Sequence, residues 1–242
     1  MAAALWRAIM PIPRPRTDAS RTSELCSPPL PSPDASASLV ERLPPLGERL
    51  SGDQLLERFL EYTMDRGIEL YPAQEEAILE LFDGKNVILA TPTGSGKSLV
   101  ALALCFMALA EEKTAFYTAP VKALVNEKFF DLCKVLGADN VGLMTGDASV
   151  NADAPVVCAT AEIVSSMALR EGTRADVDYV VMDEFHFYSD HDRGNAWQIP
   201  LLVMKQTKFL LMSATLGDTS LFEEEMTKLN GAPSPLVKTD ER

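Results

Sequence analysis

The sequence predicts an α/β domain: a mainly parallel β-sheet with helices on both faces. Three observations predict it. From about Ser51 onward, short β-rich runs alternate with helical ones, the order expected of strand–helix–strand units. The strand segments are apolar throughout, as strands buried on both faces must be. Between one such strand and a long helical segment stands Gly94-Ser95-Gly96-Lys97-Ser98, a glycine-rich turn of the kind that joins a strand to a helix beneath a phosphate.

The elements follow in order. Asp53 to Asp65 reads as an amphipathic helix, with Leu55, Leu56, Phe59, Leu60 and Met64 at helical spacing and Gly67 just beyond its end. A second helix is expected from Ala73 to Phe82, then a strand from Asn86 to Ala90 and a helix from Lys97 to Ala110. The alternation continues with a strand at Thr114 to Thr118, a helix at Val121 to Leu136 and a strand at Val141 to Met144. Next come a strand at Pro155 to Ala159, a helix at Ala161 to Arg170, and strands at Val177 to Met182 and Phe209 to Met212.

Residues 1–50 have a different texture. They hold nine of the sixteen prolines, in segments such as Pro28-Pro29-Leu30-Pro31-Ser32-Pro33. Proline fixes φ and lacks an amide donor, so a disordered tail or linker is expected over 1–50 and a folded domain over 51–242. Arg7, Arg14, Arg16 and Arg21 give the start a loose likeness to an organelle transit peptide, although an unstructured extension of a cytoplasmic protein is the plainer expectation.

Composition sets limits on function. Hydrophobic residues make up 47% of the chain, ample for a core. The longest apolar run, Leu99 to Ala110, has 12 residues, short of the roughly 18 that a membrane span requires; no membrane partner is expected. Residues 1–50 carry six basic and five acidic side chains, which leaves 16 against 30, a net −14, in the remainder. Such a domain does not coat nucleic acid by bulk charge, although a local basic strip could still grip phosphates. Cys26, Cys105, Cys133 and Cys158 form no CxxC pair, so neither a disulfide framework nor a zinc site is indicated.

Two motifs carry chemistry. In Ala90-Thr91-Pro92-Thr93-Gly94-Ser95-Gly96-Lys97-Ser98 the glycines let successive amides of Thr93 to Ser98 point at phosphate oxygens. Lys97 reaches the outer phosphates and the Ser98 hydroxyl ligates Mg²⁺. Thr91 stands where the general pattern begins with glycine. The second motif is the apolar strand that ends in Asp183-Glu184, where Asp183 would hold Mg²⁺ through water and Glu184 orient or deprotonate the attacking water. Two acids after a strand are by themselves ordinary; beside a P-loop they acquire a task. His186 and His191 follow, more readily hydrogen-bonding than metal-binding.

With loop and acids in place, the stretch from about Leu70 to Asp218 resembles a superfamily-two helicase, and its P-loop lobe would be RecA-like. Tyr71-Pro72-Ala73-Gln74 resembles the glutamine motif, which implies that Gln74 reads adenine. Ala119-Pro120-Val121-Lys122, Thr145-Gly146-Asp147 and Ala159-Thr160-Ala161-Glu162 resemble strand-gripping motifs, which implies nucleic-acid contacts at Pro120, Lys122, Thr145, Gly146, Thr160 and Glu162. Asp183-Glu184-Phe185-His186 is similar to a DExH box. Ser213-Ala214-Thr215 is similar to the motif that, with His186, couples hydrolysis to strand movement. Tyr117 to Phe130, Gly142 to Asp147, and Asp192-Arg193-Gly194 with Trp197 are similar to superkiller-type RNA helicases.

The resemblance implies ATP with Mg²⁺ as cofactors and single-stranded or partly duplex nucleic acid, RNA slightly favoured, as partner. It also implies a second RecA-like lobe bearing an arginine finger. No Arg-rich GRxGR element occurs in residues 216–242, so this chain alone is expected to turn over little ATP. The alternative is a non-catalytic fragment that binds nucleotide or a partner. A metabolic P-loop kinase would leave Gln74, Thr145 to Asp147 and Ser213 to Thr215 without a task.

Overall fold

A computed structural model describes residues 38–92, 94–214, 223–224, 227–228, 231 and 233–238. Its helices are α1 (Gly52–Asp65), α2 (Pro72–Phe82), α3 (Lys97–Ala110), α4 (Lys122–Leu136), α5 (Ala161–Glu171) and α6 (Asn195–Val203). Its strands are β1 (Val87–Ala90), β2 (Ala115–Ala119), β3 (Val141–Met144), β4 (Ser149–Val150), β5 (Val156–Thr160), β6 (Tyr179–Met182), β7 (Lys208–Ser213) and β8 (Leu236–Lys238).

The strands form one sheet in the order β4-β3-β5-β2-β6-β7-β1-β8. All neighbours are parallel except β3 and β4. Because side chains alternate across a strand, the faces divide by residue parity. Val87, Leu89, Tyr117, Cys158 and Val181 pack with α1 to α4, whereas Ile88, Phe116, Val157, Val180 and Leu211 pack with α5 and α6. The expected parallel sheet with helices on both faces is what forms. Its loops after β1, β2, β5 and β6 therefore meet at one edge.

Local signals explain the helix starts. Ser51 Oγ accepts from the Gln54 amide at 3.3 Å while Gln54 Oε1 accepts from the Ser51 amide at 2.9 Å, a capping box for α1. Pro72 opens α2 with its preset φ. Gly96 opens α3 in the left-handed region, φ +72°, which a side chain would strain. Among the described residues no helix is long and apolar enough to cross a membrane.

Three details depart from expectation. The buried stripe of α1 is Leu55, Phe59 and Tyr62, and Met64 is 67% exposed; the i, i+4 series through Leu60 to Met64 follows the flank of the helix rather than its inner face. Asn86 precedes β1 rather than belonging to it. Fully buried, it accepts from the Phe209 amide at 2.9 Å and donates to Ser234 Oγ at 3.1 Å, tying β1 to β7 and to the approach to β8. The packed region also begins before Ser51: a 3₁₀ turn at Leu39–Arg42 puts Leu39, 0% exposed, into the core beside α1. Prolines 44 and 45 only bound that turn, which supplies one apolar anchor without extended secondary structure.

Candidate nucleotide and nucleic-acid site

The loop after β1 is braced from within. Thr91 is buried, and its hydroxyl lies 2.6 Å from Ser95 Oγ. Thus the residue that replaces the usual glycine closes the turn by a side-chain hydrogen bond. Lys97 Nζ donates to the carbonyls of Thr91 at 2.8 Å and Pro92 at 3.0 Å. Burial lowers the Lys97 pKa, while Glu184 and Asp183 act in the opposite direction. Thr93 lies outside the described residues. Gly94, φ +85°, has open space where a Cβ would stand.

Gln74 holds this loop from behind. Its Nε2 donates to the carbonyls of Ser95 at 2.8 Å and Gly96 at 3.1 Å, and its Oε1 accepts from the Tyr71 amide at 2.9 Å. The side chain expected to read adenine is thus also a strut between the start of α2 and the P-loop. A Cβ at position 96 would sit 2.3 Å from Gln74 Nε2, so a side chain there would displace the Gln74 amide from the loop carbonyls as well as strain φ.

The acids stand at the end of β6. Asp183 Oδ1 accepts from the Glu184 amide at 2.9 Å, and Oδ2 accepts from the Tyr117 hydroxyl at 2.7 Å. Burial first, and then the adjacent Asp183, push the Tyr117 phenol well above its ordinary pKa. Glu184 has φ +52°, a left-handed conformation that is strained for a side-chain-bearing residue and tends to occur at functional sites. It carries its carboxylate to 3.3 Å from His186 Nδ1, and the same nitrogen lies 3.3 Å from Ser213 Oγ. The Thr91 amide donates to the Ser213 carbonyl at 3.2 Å. P-loop, acid box and Ser213 are therefore in direct contact; Ala214 continues from that strand and Thr215 lies outside the described residues. His191 is fully exposed beside Asp192.

The predicted nucleic-acid residues divide into two groups. Lys122, at the start of α4, pairs with Asp147 at 2.8 Å, and Thr145 Oγ1 donates to the same carboxylate at 2.8 Å. Gly146 is open, so this corner presents polar groups outward. Pro120, Thr160 and Glu162 are engaged instead in an internal clamp. Arg193 donates to the Pro120 carbonyl at 2.5 Å and to Glu162 Oε1 at 2.6 Å and 3.1 Å. Its guanidinium lies over the rings of Phe187 and Trp197, at 5.9 Å and 5.8 Å. Burial raises the Glu162 carboxyl, but hydrogen bonds from Arg193, its own backbone and Thr160 outweigh it and hold the pKa below the usual range. The Pro120 carbonyl and Glu162 Oε1, in two of the residues expected at the nucleic acid, thus accept from Arg193.

Three residues near the site were not singled out from sequence. Arg193 was noted only within a similar stretch, and Tyr117 only as the start of one. Lys128, on α4, donates to Ser98 Oγ at 3.2 Å, placing a second cation beside the hydroxyl expected to ligate Mg²⁺. It too lies within the Tyr117 to Phe130 stretch, and its spacing from Lys122, which puts the two on different faces of the helix, does not point to it.

Residues 71–222 match the DEAD/DEAH box helicase family. The chain belongs to that family. It is 38% identical over 174 residues to the DExH-box ATP-dependent RNA helicase DExH15, chloroplastic, of Arabidopsis thaliana, a match that covers 69% of this chain and 15% of the relative. It is 39% identical over 156 residues to the antiviral helicase SKI2 of Saccharomyces cerevisiae, covering 64% of this chain and 12% of the relative. The superkiller-like resemblance is thus upheld, and the helicase domain seen here spans less than a fifth of the length of either relative. A crystal structure of the DUF1998 helicase MrfA bound to DNA and AMPPNP superposes with a TM-score of 0.60 at 24% identity, over 80% of this chain and 30% of that one. It supports the RecA-like fold.

Proposed function

We propose that this helicase domain is the ATP-binding lobe of an ATP-dependent helicase, in which hydrolysis drives movement along single-stranded or partly duplex nucleic acid, RNA by preference. The observation that carries the reading is the convergence of Lys97, Ser98, Asp183 and Glu184 at one sheet edge, with Glu184 continued through His186 to Ser213. A cation, a hydroxyl and two carboxylates beside the glycine-rich start of α3 are the donor set that suits Mg·ATP.

The amides of Gly94 to Ser98 and the Lys97 ammonium would hold the phosphates, with Ser98 and Asp183 facing the metal. Mg²⁺ would neutralise phosphate charge there. Glu184 would orient the attacking water and take its proton. Lys122, Thr145 and Gly146 would touch the nucleic-acid backbone, while Thr160 and the Arg193 clamp shape the adjoining surface. A second RecA-like lobe would complete both sites. The naming of DExH15 as an RNA helicase supports the preference for RNA.

The direct test is titration with a fluorescent ATP analogue. Lys97→Ala should weaken binding about tenfold or more, the scale of a lost charge-assisted hydrogen bond, with an unchanged circular dichroism spectrum. Unaltered affinity would overturn the assignment.

A further inference from the structure

The Asp183 carboxylate is not free to turn. Its strand, β6, lies beside β2 in a register that puts Tyr117 opposite Val181 and Thr118 opposite Met182, and the Asp183 amide donates to the Thr118 carbonyl at 2.9 Å. Asp183 therefore shares a sheet face with Tyr117, one step further along. Ala119, the next residue of β2 on that face, is small enough to leave the space between them open. The Tyr117 ring is buried in the core that packs against α3. Its hydroxyl spans the diagonal and donates to Asp183 Oδ2 at 2.7 Å.

We infer that Tyr117 is a positioning residue for the metal. It fixes the rotamer of Asp183 from inside the core, so that the carboxylate meets Mg·nucleotide in one orientation. The inference rests on the nucleotide-site reading above and extends it to a side chain that cannot touch nucleotide. Two lone-pair directions of the carboxylate are filled, by the Tyr117 hydroxyl and by the Glu184 amide; the remaining ones are left for the ligand. A carboxylate so restrained spends no rotamer freedom when the metal arrives.

Tyr117→Phe removes one oxygen and keeps the ring. Binding of the fluorescent ATP analogue to the full chain would be titrated with Mg²⁺, and separately in excess chelator. Tyr117→Phe should raise the Mg²⁺ concentration for half-maximal effect about three- to tenfold, the scale of one ordinary net hydrogen bond. Chelator-only affinity should not change. A merely structural loss would weaken both equally, and that result, or an unchanged Mg²⁺ requirement, would overturn the inference. Should the single variant fold poorly, Tyr117→Phe in an Asp183→Asn background removes the charge that would otherwise be left without its donor. There, with the Mg²⁺ dependence already lost, Tyr117→Phe should leave nucleotide affinity unchanged both with Mg²⁺ and in chelator; a further loss in either would overturn the inference. Lys97→Ala serves as the parallel control: if it still bound nucleotide normally, the nucleotide-site reading would fall first, and this inference with it.

Discussion

Arg193 and Glu162 meet on a single oxygen: both Nε and Nη2 of the arginine converge on Oε1, at 3.1 Å and 2.6 Å. The pair gives folding a definite pH dependence. The carboxyl is held below its usual 4.5 in the folded state, so the stability it contributes is fully present above that value. It is lost as pH falls through the lower folded pKa. The side chains are partly exposed, so the pair itself is worth no more than about 1 kcal/mol. Thermal melts at about pH 7 and pH 3 should show a smaller acid loss for Glu162→Gln than for the parent; equal losses would mean that the pair contributes nothing.

Substituting the arginine should cost more than substituting its carboxylate partner. Arg193→Ala removes the ion pair, the bond to the Pro120 carbonyl and the stacking on Phe187 and Trp197 together, about 1–3 kcal/mol in all. Arg193→Lys should restore little of it, since an ammonium cannot fork and stack as a guanidinium does. Chemical denaturation would measure both, and full rescue by lysine would contradict the clamp.

The two acids of the box should separate. Glu184→Gln keeps size and backbone and should retain Mg·nucleotide while losing hydrolysis, whereas Asp183→Asn should lose the Mg²⁺ dependence of binding. Equal loss of nucleotide affinity in both variants would refute the division of roles.

Lys122 is paired with Asp147, whose negative charge would oppose a phosphate at the same corner. Asp147→Asn should therefore tighten binding of labelled single-stranded RNA, and Lys122→Ala should lower the logarithmic salt slope by about one. Fluorescence anisotropy between about 50 and 200 mM salt would decide. With a net −14 over residues 51–242, the parent should bind weakly and with steep salt dependence.

Leu39 offers a test of where the domain begins. Leu39→Ala removes a fully buried side chain and should cost about 2–5 kcal/mol. A chain begun at Ser51 should melt lower by a comparable amount. Unchanged stability in both would show that the turn is ornamental.

Strands β1, β2, β3, β5, β6 and β7 and helices α1 to α5 were legible because each is a local pattern: apolar runs and helical periodicity; the P-loop and the acid box are local motifs too, and only the fold brings them together. The remainder depended on distance or brevity. Sheet order is set by long-range pairing that no window of sequence contains. β8 is three residues behind Pro233 and Pro235, and α6 carries Pro200 in its interior, a residue that argues against a helix. Arg193 reads as one more surface charge until its partners, 31 and 73 positions away, are brought beside it. Tyr117 likewise looks like a core aromatic, because only the register of β2 against β6 gives its hydroxyl a partner.

The strand that carries the P-loop depends on β8 for its outer side. The amides of Asn86 and Ile88 donate to the carbonyls of Pro233 at 3.1 Å and Pro235 at 3.0 Å, and Ile88 to Ala90 align with Leu236 to Lys238. Stripped of that cover, Val87-Ile88-Leu89-Ala90 would be an uncharged, apolar rim with open hydrogen-bonding groups, a template on which another chain can add itself. Residues 233–238 thus cover that rim, and a version of this domain trimmed ahead of Pro233 is expected to self-associate more than the parent, as light scattering would show.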